Sequence, residues 1–315
     1  MLKIDAFVKE NIATLSISFE NGKINIKQRS YTSKELMDIF KKYGGKNINP
    51  DMVKNIPSQN VVGIMAWSFK PEGIEELIKL TGMDGFVNMI LSPQGISLDD
   101  IVKSTKGDIL LSVTDLQTRK KVSDSTDKER LGADVLFAGS VGDKESFNKV
   151  LNTLLKLKDK MKRDSGFGYA RNDKYFIFGN VQSLVDKYSA GANNSFPFMD
   201  KLKDHPFGIF IDINKILTAS SNLPSKDSTD KVLLDASLKV WDNVYVAGGE
   251  VENNSVHINT EINMVDKNTN SLKQLNNYFN EIGKAVKEKR KHYKEHWKLE
   301  DSTIAAPDTL GRPSY

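Results

Sequence analysis

The sequence predicts an α+β fold of mostly antiparallel sheets covered by helices, arranged as two related β-β-α-β-α-α-β-β-α units. Three observations predict it. Apolar residues alternate on both sides of three short polar turns, the mark of β-hairpins. Between the hairpins, apolar residues recur on 3.6-residue spacing behind recognisable helix starts. The order of these elements then runs through the chain twice.

The first hairpin runs from Ala13 to Glu20, turns at Asn21-Gly22 and returns through Lys23 to Arg29. Asn and Gly tolerate the positive φ that tight hairpin turns demand. Thr32 and Glu35 form a capping-box pair ahead of Leu36, Ile39 and Phe40, a hydroxyl and a carboxylate reciprocally satisfying backbone donors. A strand follows from Val61 to Phe69, and Pro71 suits the first position of a helix carrying Ile74, Leu77 and Ile78. Ser97 and Asp100 repeat the capping device before Ile101 and Val102. Strands from Asp108 to Asp115 and from Asp134 to Gly142 flank a polar stretch, 114–134, read as mobile. Phe147, Val150, Leu151, Leu154, Leu155 and Leu157 mark a long helix.

The second series opens with Gly166 to Arg171 against Lys174 to Phe178 across Asn172-Asp173. It continues through a strand from Phe207 to Ile213 and a hairpin of Val244 to Glu252 with Ser255 to Val265 across Asn253-Asn254. Leu272, Leu275, Phe279, Ile282 and Val286 give the closing helix one apolar stripe, its expected anchor. The repeated order implies an internal duplication: a first unit over 1–162, a second over 163–290, and a polar C-terminal tail over 291–315.

Composition narrows the function classes. Lys and Arg number 45 against 41 Asp and Glu, so the net charge of +4 over 315 residues gives no general field for nucleic acid. The chain has no cysteine, which excludes disulfides, thiolate nucleophiles and Cys-ligated metal sites. No stretch approaches the roughly 18 apolar residues of a membrane span. The start enters a strand pattern without a basic segment followed by an apolar one, so no leader is expected in the chain as given.

Catalytic motifs are nearly absent. There is no phosphate-binding G-x-x-x-x-G-K-[ST], no G-x-G-x-x-G and no G-x-S-x-G. His292-Tyr293-Lys294-Glu295-His296 matches H-x-x-E-H, in which two imidazoles four residues apart hold zinc and the carboxylate activates water. Its surroundings, KEKRKHYKEHWK, are among the most charged of the chain, so a solvated helix end is expected instead. Lys284 to Lys298 carries seven Lys or Arg against two Glu, and cations at a helix C-terminus are favoured by its exposed carbonyls. Glu75-Glu76 and Asp99-Asp100 are expected as solvated face and cap, Trp67 and Trp241 as core, and His205 and His257 as structural or exposed.

The phrases Asn60-Val61-Val62-Gly63-Ile64, Phe69-Lys70-Pro71-Glu72-Gly73-Ile74, Ser97-Leu98-Asp99-Asp100-Ile101 and Lys106-Gly107-Asp108-Ile109 resemble a family of uncharacterised lipoproteins from Bacteroidetes-type bacteria. Tyr175-Phe176-Ile177-Phe178-Gly179-Asn180 and Pro206-Phe207-Gly208-Ile209-Phe210-Ile211-Asp212-Ile213 are similar to it as well, and the resemblance covers most of 12–290. It implies a cell-envelope protein facing the periplasm or the surface, held to the membrane only through a lipid anchor that this chain lacks. It supplies no catalytic, cofactor-binding or metal residue, and none is assigned. The expectation is therefore a non-catalytic binding or structural module with an envelope protein or glycan as partner, without nucleic acid or cofactor. The alternative is an envelope hydrolase acting on glycans or peptides through dispersed carboxylates or histidines.

Overall fold

The structure, a computed structural model, describes residues 10–120, 129–160, 167–223 and 228–303. The elements run β1 (Ile12–Glu20), β2 (Lys23–Tyr31), α1 (Lys34–Tyr43), α2 (Pro50–Lys54), β3 (Val61–Ser68), α3 (Glu72–Thr81), α4 (Asp84–Leu91), α5 (Leu98–Ser104), β4 (Thr105–Lys120), β5 (Glu129–Val141) and α6 (Lys144–Lys160). Then come β6 (Gly168–Arg171), β7 (Tyr175–Gly179), α7 (Gln182–Ala190), β8 (Phe207–Asp212), α8 (Ile213–Ser221), α9 (Ser228–Val240), β9 (Trp241–Glu252), β10 (Ser255–Met264) and α10 (Ser271–Thr303). The fold is α+β, and the ten strands of the described residues join in one antiparallel sheet of order β1-β2-β10-β9-β8-β3-β4-β5-β7-β6.

Each N-terminal hairpin pairs with the last strand of the other half: β2 with β10, and β7 with β5. Exchanging β1–β5 for β6–β10 in order returns the same strand sequence across the sheet. The segments 1–162 and 163–290 therefore interleave in the sheet, with β3 and β8 side by side at its centre.

One face of the sheet carries the core. Ile64, Ala66, Leu110, Leu136, Ala138, Ile177 and Phe210 project there and pack under Met52 and Val53 of α2, Leu184, Val185 and Tyr188 of α7, and Phe198 and Leu202. Phe196, Phe198, Phe210 and Tyr245 stack in sequence with ring centroids 4.7–5.2 Å apart. Tyr188 Oη donates to Met52 O at 2.9 Å, tying α7 to α2 above the sheet.

The opposite face is apolar too, and along its middle it is open. The cross-strand row Ile17, Ile26, Thr260, Val246, Ile209, Met65, Leu111, Phe137, Phe178, Tyr169 follows the register from edge to edge. None of these residues is buried. With strands about 4.8 Å apart, the row spans roughly 43 Å.

Local chemistry explains where the elements begin. Ser97 and Asp100 make the expected capping box, each bonding the other's backbone N–H. At α1 the cap is Ser33, one residue after the expected Thr32, because the Ser33 hydroxyl accepts from Leu36 N. Asn253 and Asn254 both adopt positive φ, 47° and 63°, as their hairpin requires. The turn expected at Asn172-Asp173 lies one residue later: Asn172 Oδ1 accepts from Lys174 N and Tyr175 N, so Asn172 closes the strand.

Strands β4 and β5 run further than expected, into the polar stretch read as mobile, and pair as far as Lys120 with Glu129. Residues 121–128 lie outside the described residues, as does Gly166 of the second hairpin. Helix α10 continues through Thr303, so its backbone covers much of 291–315, of which 304–315 lie outside the described residues. The expected anchor of this helix is corrected in part: Leu272 and Phe279 are exposed, while Ser271 and Gln274 are buried and Leu275, Ile282 and Val286 half-buried. Tyr278, which the stripe omitted, meets Trp241 edge-on at 5.6 Å and hydrogen-bonds Ser237 Oγ at 2.9 Å.

Candidate functional site

Helices α1 and α3 pack together beside the end of β3 and leave a hollow of about 210 Å³. Close backbone approaches build its wall. Ser68 N donates to Pro206 O at 2.7 Å, and a Cβ on Gly45 would lie 1.6 Å from Ser68 O, so only glycine lets this segment run so near. Ile39, Phe40 and Tyr43 of α1, Ile74 and Leu77 of α3, Trp67 and Phe69 and Val256 line the space. Trp67 and Phe69 pack with centroids 4.7 Å apart, and Trp67 is 42% exposed.

Among the described residues lining the hollow, Lys70 alone is charged. Its Nζ donates to Lys42 O at 3.0 Å, which uses one of the three ammonium donors. The arrangement suits an apolar group inserted between α1 and α3 with a negative charge at the mouth, where two N–H donors of Lys70 remain.

The expectation that Trp67 belongs to the core is corrected by this exposure. The strand VVGIMAWS alternates, and Trp67 shares the open face with Met65 while Ile64 and Ala66 face the core. Trp241 is half-buried at the start of β9, packed against Tyr278.

A second, polar hollow of about 570 Å³ lies on the core side of the sheet, toward β2 and β10, and gathers Lys27, Arg29, Asp200, Lys201, His205, His257 and Glu261. Most of these groups are already engaged. His205 Nδ1 pairs with Glu250, and Glu261 pairs with Lys201 and, at 3.6 Å, with Lys23. Burial pushes the Glu261 carboxyl up, but hydrogen bonds from Lys201 and Asn263 and the charges of Lys201 and Lys23 outweigh it and hold the group below its ordinary range. Lys201 also lies 4.4 Å above the Tyr245 ring.

His257 Nε2 stands 2.8 Å from Ser255 Oγ, and its Nδ1 stands 3.6 Å from Glu252 Oε2, an order that resembles a nucleophile–base–orienter set. The hydroxyl does not fit the role of nucleophile. Ser255 Oγ donates to Glu252 O at 2.9 Å, so it accepts from His257, and the residue is 1% exposed. The set braces the β9–β10 turn.

Glu75 is drawn to Lys79 at 2.8 Å and Asp99 to Lys103 at 2.7 Å along their own helices, while Asp100 caps α5. His292, Glu295 and His296 fall on helical backbone of α10, and their side chains lie outside the described residues. Among the described residues no group of three or more His, Cys, Asp or Glu is placed to hold a metal ion, and no helix is long and apolar enough to cross a membrane.

Nothing in the sequence singled out the α1–α3 hollow, because its wall comes from segments near residues 40, 70, 206 and 256. The one available signal was the alternation that places Trp67 off the core face. No family model, curated protein or solved structure matches the chain.

Proposed function

We propose that the protein is a non-catalytic binding module whose ligand carries an apolar body and a negatively charged group. The observation that supports this reading is the hollow between α1 and α3, whose described lining is aliphatic and aromatic apart from Lys70. A bacterial cell-envelope location belongs to the same proposal and rests on the family resemblance. The apolar wall favours an amphiphilic ligand over the glycan partner expected at first, since sugars need a polar lining.

Titration with 1-anilinonaphthalene-8-sulfonate, a fused aromatic with one sulfonate, tests it. Saturable one-to-one fluorescence is expected, lost in Leu77→Trp, which fills the hollow, and weakened in Lys70→Met. Dye binding that neither substitution changes would end the reading.

A hydrolase remains the second reading, favoured by the polar hollow that brings His205 and His257 together with Asp200 and Glu261. The engagement of His205 and Glu261 in ion pairs weighs against it. Turnover of a glycan or peptide abolished by His205→Ala would establish it. The internal duplication is likewise a proposal, supported by the strand order that maps onto itself. Superposition of 13–161 on 167–290 in an experimental structure tests it.

A further inference from the structure

The α1–α3 hollow has a neighbour. A second hollow of about 300 Å³ adjoins it, and Phe40 and Val256 line both, so these two side chains form the wall between them. Its other apolar lining comes from Ile12, Ala13 and Tyr31. Its polar members, Asn11, Ser30 and Thr32, lie at the open end of the β1–β2 hairpin.

The strand register puts the two hollows on one line across the sheet. Ala13 is opposite Ser30 and Ser30 opposite Val256, while Trp67 is opposite Phe207 and Phe207 opposite Gly248. Gly249, next to Gly248, and Val256 both line the first hollow and connect the two runs. The floor therefore crosses β1, β2, β10, β9, β8 and β3 in their order in the sheet. Five strand spacings amount to about 24 Å. Helix α1 flanks the line with Ile39, Phe40 and Tyr43, and Lys41 Nζ ties the helix to the β9–β10 turn by donating to Asn254 Oδ1 at 2.5 Å. Lys70 belongs to the β3 end, and no other charged residue is found among the described residues lining either hollow.

We propose that the ligand is a free long-chain alkyl carboxylate, with its carboxylate on Lys70 and its unbranched chain running past Phe40 and Val256 into the second hollow. This rests on the reading of the first hollow as a ligand site and adds the ligand's shape and length. One ammonium at one end of an apolar line matches a single chain with a single anionic head. The first hollow alone, at about 210 Å³, is small for a ligand site, whereas the two joined fall within the roughly 300–1,000 Å³ such sites occupy. An extended chain advances about 1.2 Å per bond, the span of a peptide residue divided over its three backbone bonds. From β3 to β10 is three spacings, about 14 Å, which takes about twelve carbons. The whole line to β1 takes about twenty.

Affinities of saturated carboxylates from octanoate to octadecanoate, measured by calorimetry below their micelle concentrations, test the length. Each added methylene should tighten binding about fourfold, and the rise should continue through hexadecanoate. Ala13→Trp, at an exposed strand position, fills the second hollow and should weaken hexadecanoate roughly a hundredfold, to the level of dodecanoate. Lys70→Met should weaken dodecanoate about tenfold and leave 1-dodecanol unchanged.

A rise that stops at dodecanoate, hexadecanoate binding indifferent to Ala13→Trp, or 1-dodecanol bound as tightly as dodecanoate would each overturn the proposal. So would a protein that pellets with phosphatidylglycerol vesicles yet takes up no free hexadecanoate saturably, since the site would then belong to a membrane lipid. The fused rings of 1-anilinonaphthalene-8-sulfonate report on the first hollow by itself. If Leu77→Trp still abolishes dye binding, these failures sink the long-chain ligand alone; if it does not, the first hollow fails as a ligand site and the long-chain ligand fails with it.

Discussion

Leu110 and Leu111 are neighbours on β4 with opposite surroundings. Leu110 is completely buried beneath the helical cover, whereas Leu111 lies in the open cross-strand row, half-buried between Met65 and Phe137. The same contrast repeats along β3, β5 and β7, where Ile64, Leu136 and Ile177 are core and Met65, Phe137 and Phe178 are not. Apolar residues on both faces of a strand ordinarily mean a sheet covered on both sides. Here one face is closed over its centre by α2 and α7, and the row along the other keeps a core-like composition without core-like burial. The α1–α3 hollow, where Trp67 lines the space, is the place where helices partly close around that composition.

The largest effect should come from the closed face. Leu110→Ala removes a fully buried side chain and is expected to cost about 2–5 kcal/mol in urea unfolding, as large-to-small core substitutions do. Leu111→Ala, one residue on, should cost less than about 1 kcal/mol, because much of the side chain already meets water. Equal losses would break the comparison and mean that the open face is closed in solution.

How much of this was legible follows from the range of the interactions involved. Asn253-Asn254 could be placed because a tight hairpin needs left-handed backbone at two adjacent positions, and asparagine provides it locally. Ser97 and Asp100 were legible for the same reason, since a capping box is complete within four residues. Asn172-Asp173 was misplaced by one because composition does not reveal that the Asn172 side chain binds two backbone N–H groups ahead of it. The polar ends of β4 and β5 pair with each other and with no core, so no apolar alternation announced them. Pairing of β2 with β10, more than 220 residues apart, has no local signature at all. The hollow depends on such pairings, which is why the local motif at His292 and His296 is more prominent in the sequence than Trp67.

A smaller effect tests what holds the closed face shut. Tyr188 joins α7 to α2 through its bond to Met52 O, and burial pushes the phenol pKa up, so it stays a proton donor through the alkaline range. Tyr188→Phe keeps the ring and leaves the carbonyl unpaired, with an expected loss of about 1–2 kcal/mol by denaturant titration. The loss should not vary between neutral and moderately alkaline pH. A neutral substitution would show that packing alone secures the cover.

The smallest effect lies where the closed face gives way to the polar hollow. Glu261 accepts from Lys201 and from Asn263 Nδ2, the latter at 2.9 Å, and its folded pKa lies below the ordinary 4.5. A carboxylate whose pKa is depressed by folding contributes stability above its unfolded pKa and loses it as pH falls through the folded value. Glu261→Gln should therefore lower stability by about 1 kcal/mol at pH 7. The substituted and unsubstituted chains should converge in acid, once Glu261 is protonated in both folded and unfolded states. Melting curves across that range decide the matter: convergence assigns the contribution to charge, and a constant gap assigns it to hydrogen-bond geometry that glutamine fails to reproduce. In the second case the lysines would be incidental, and the polar end of the sheet would be held together in the same way as the turn around Ser255.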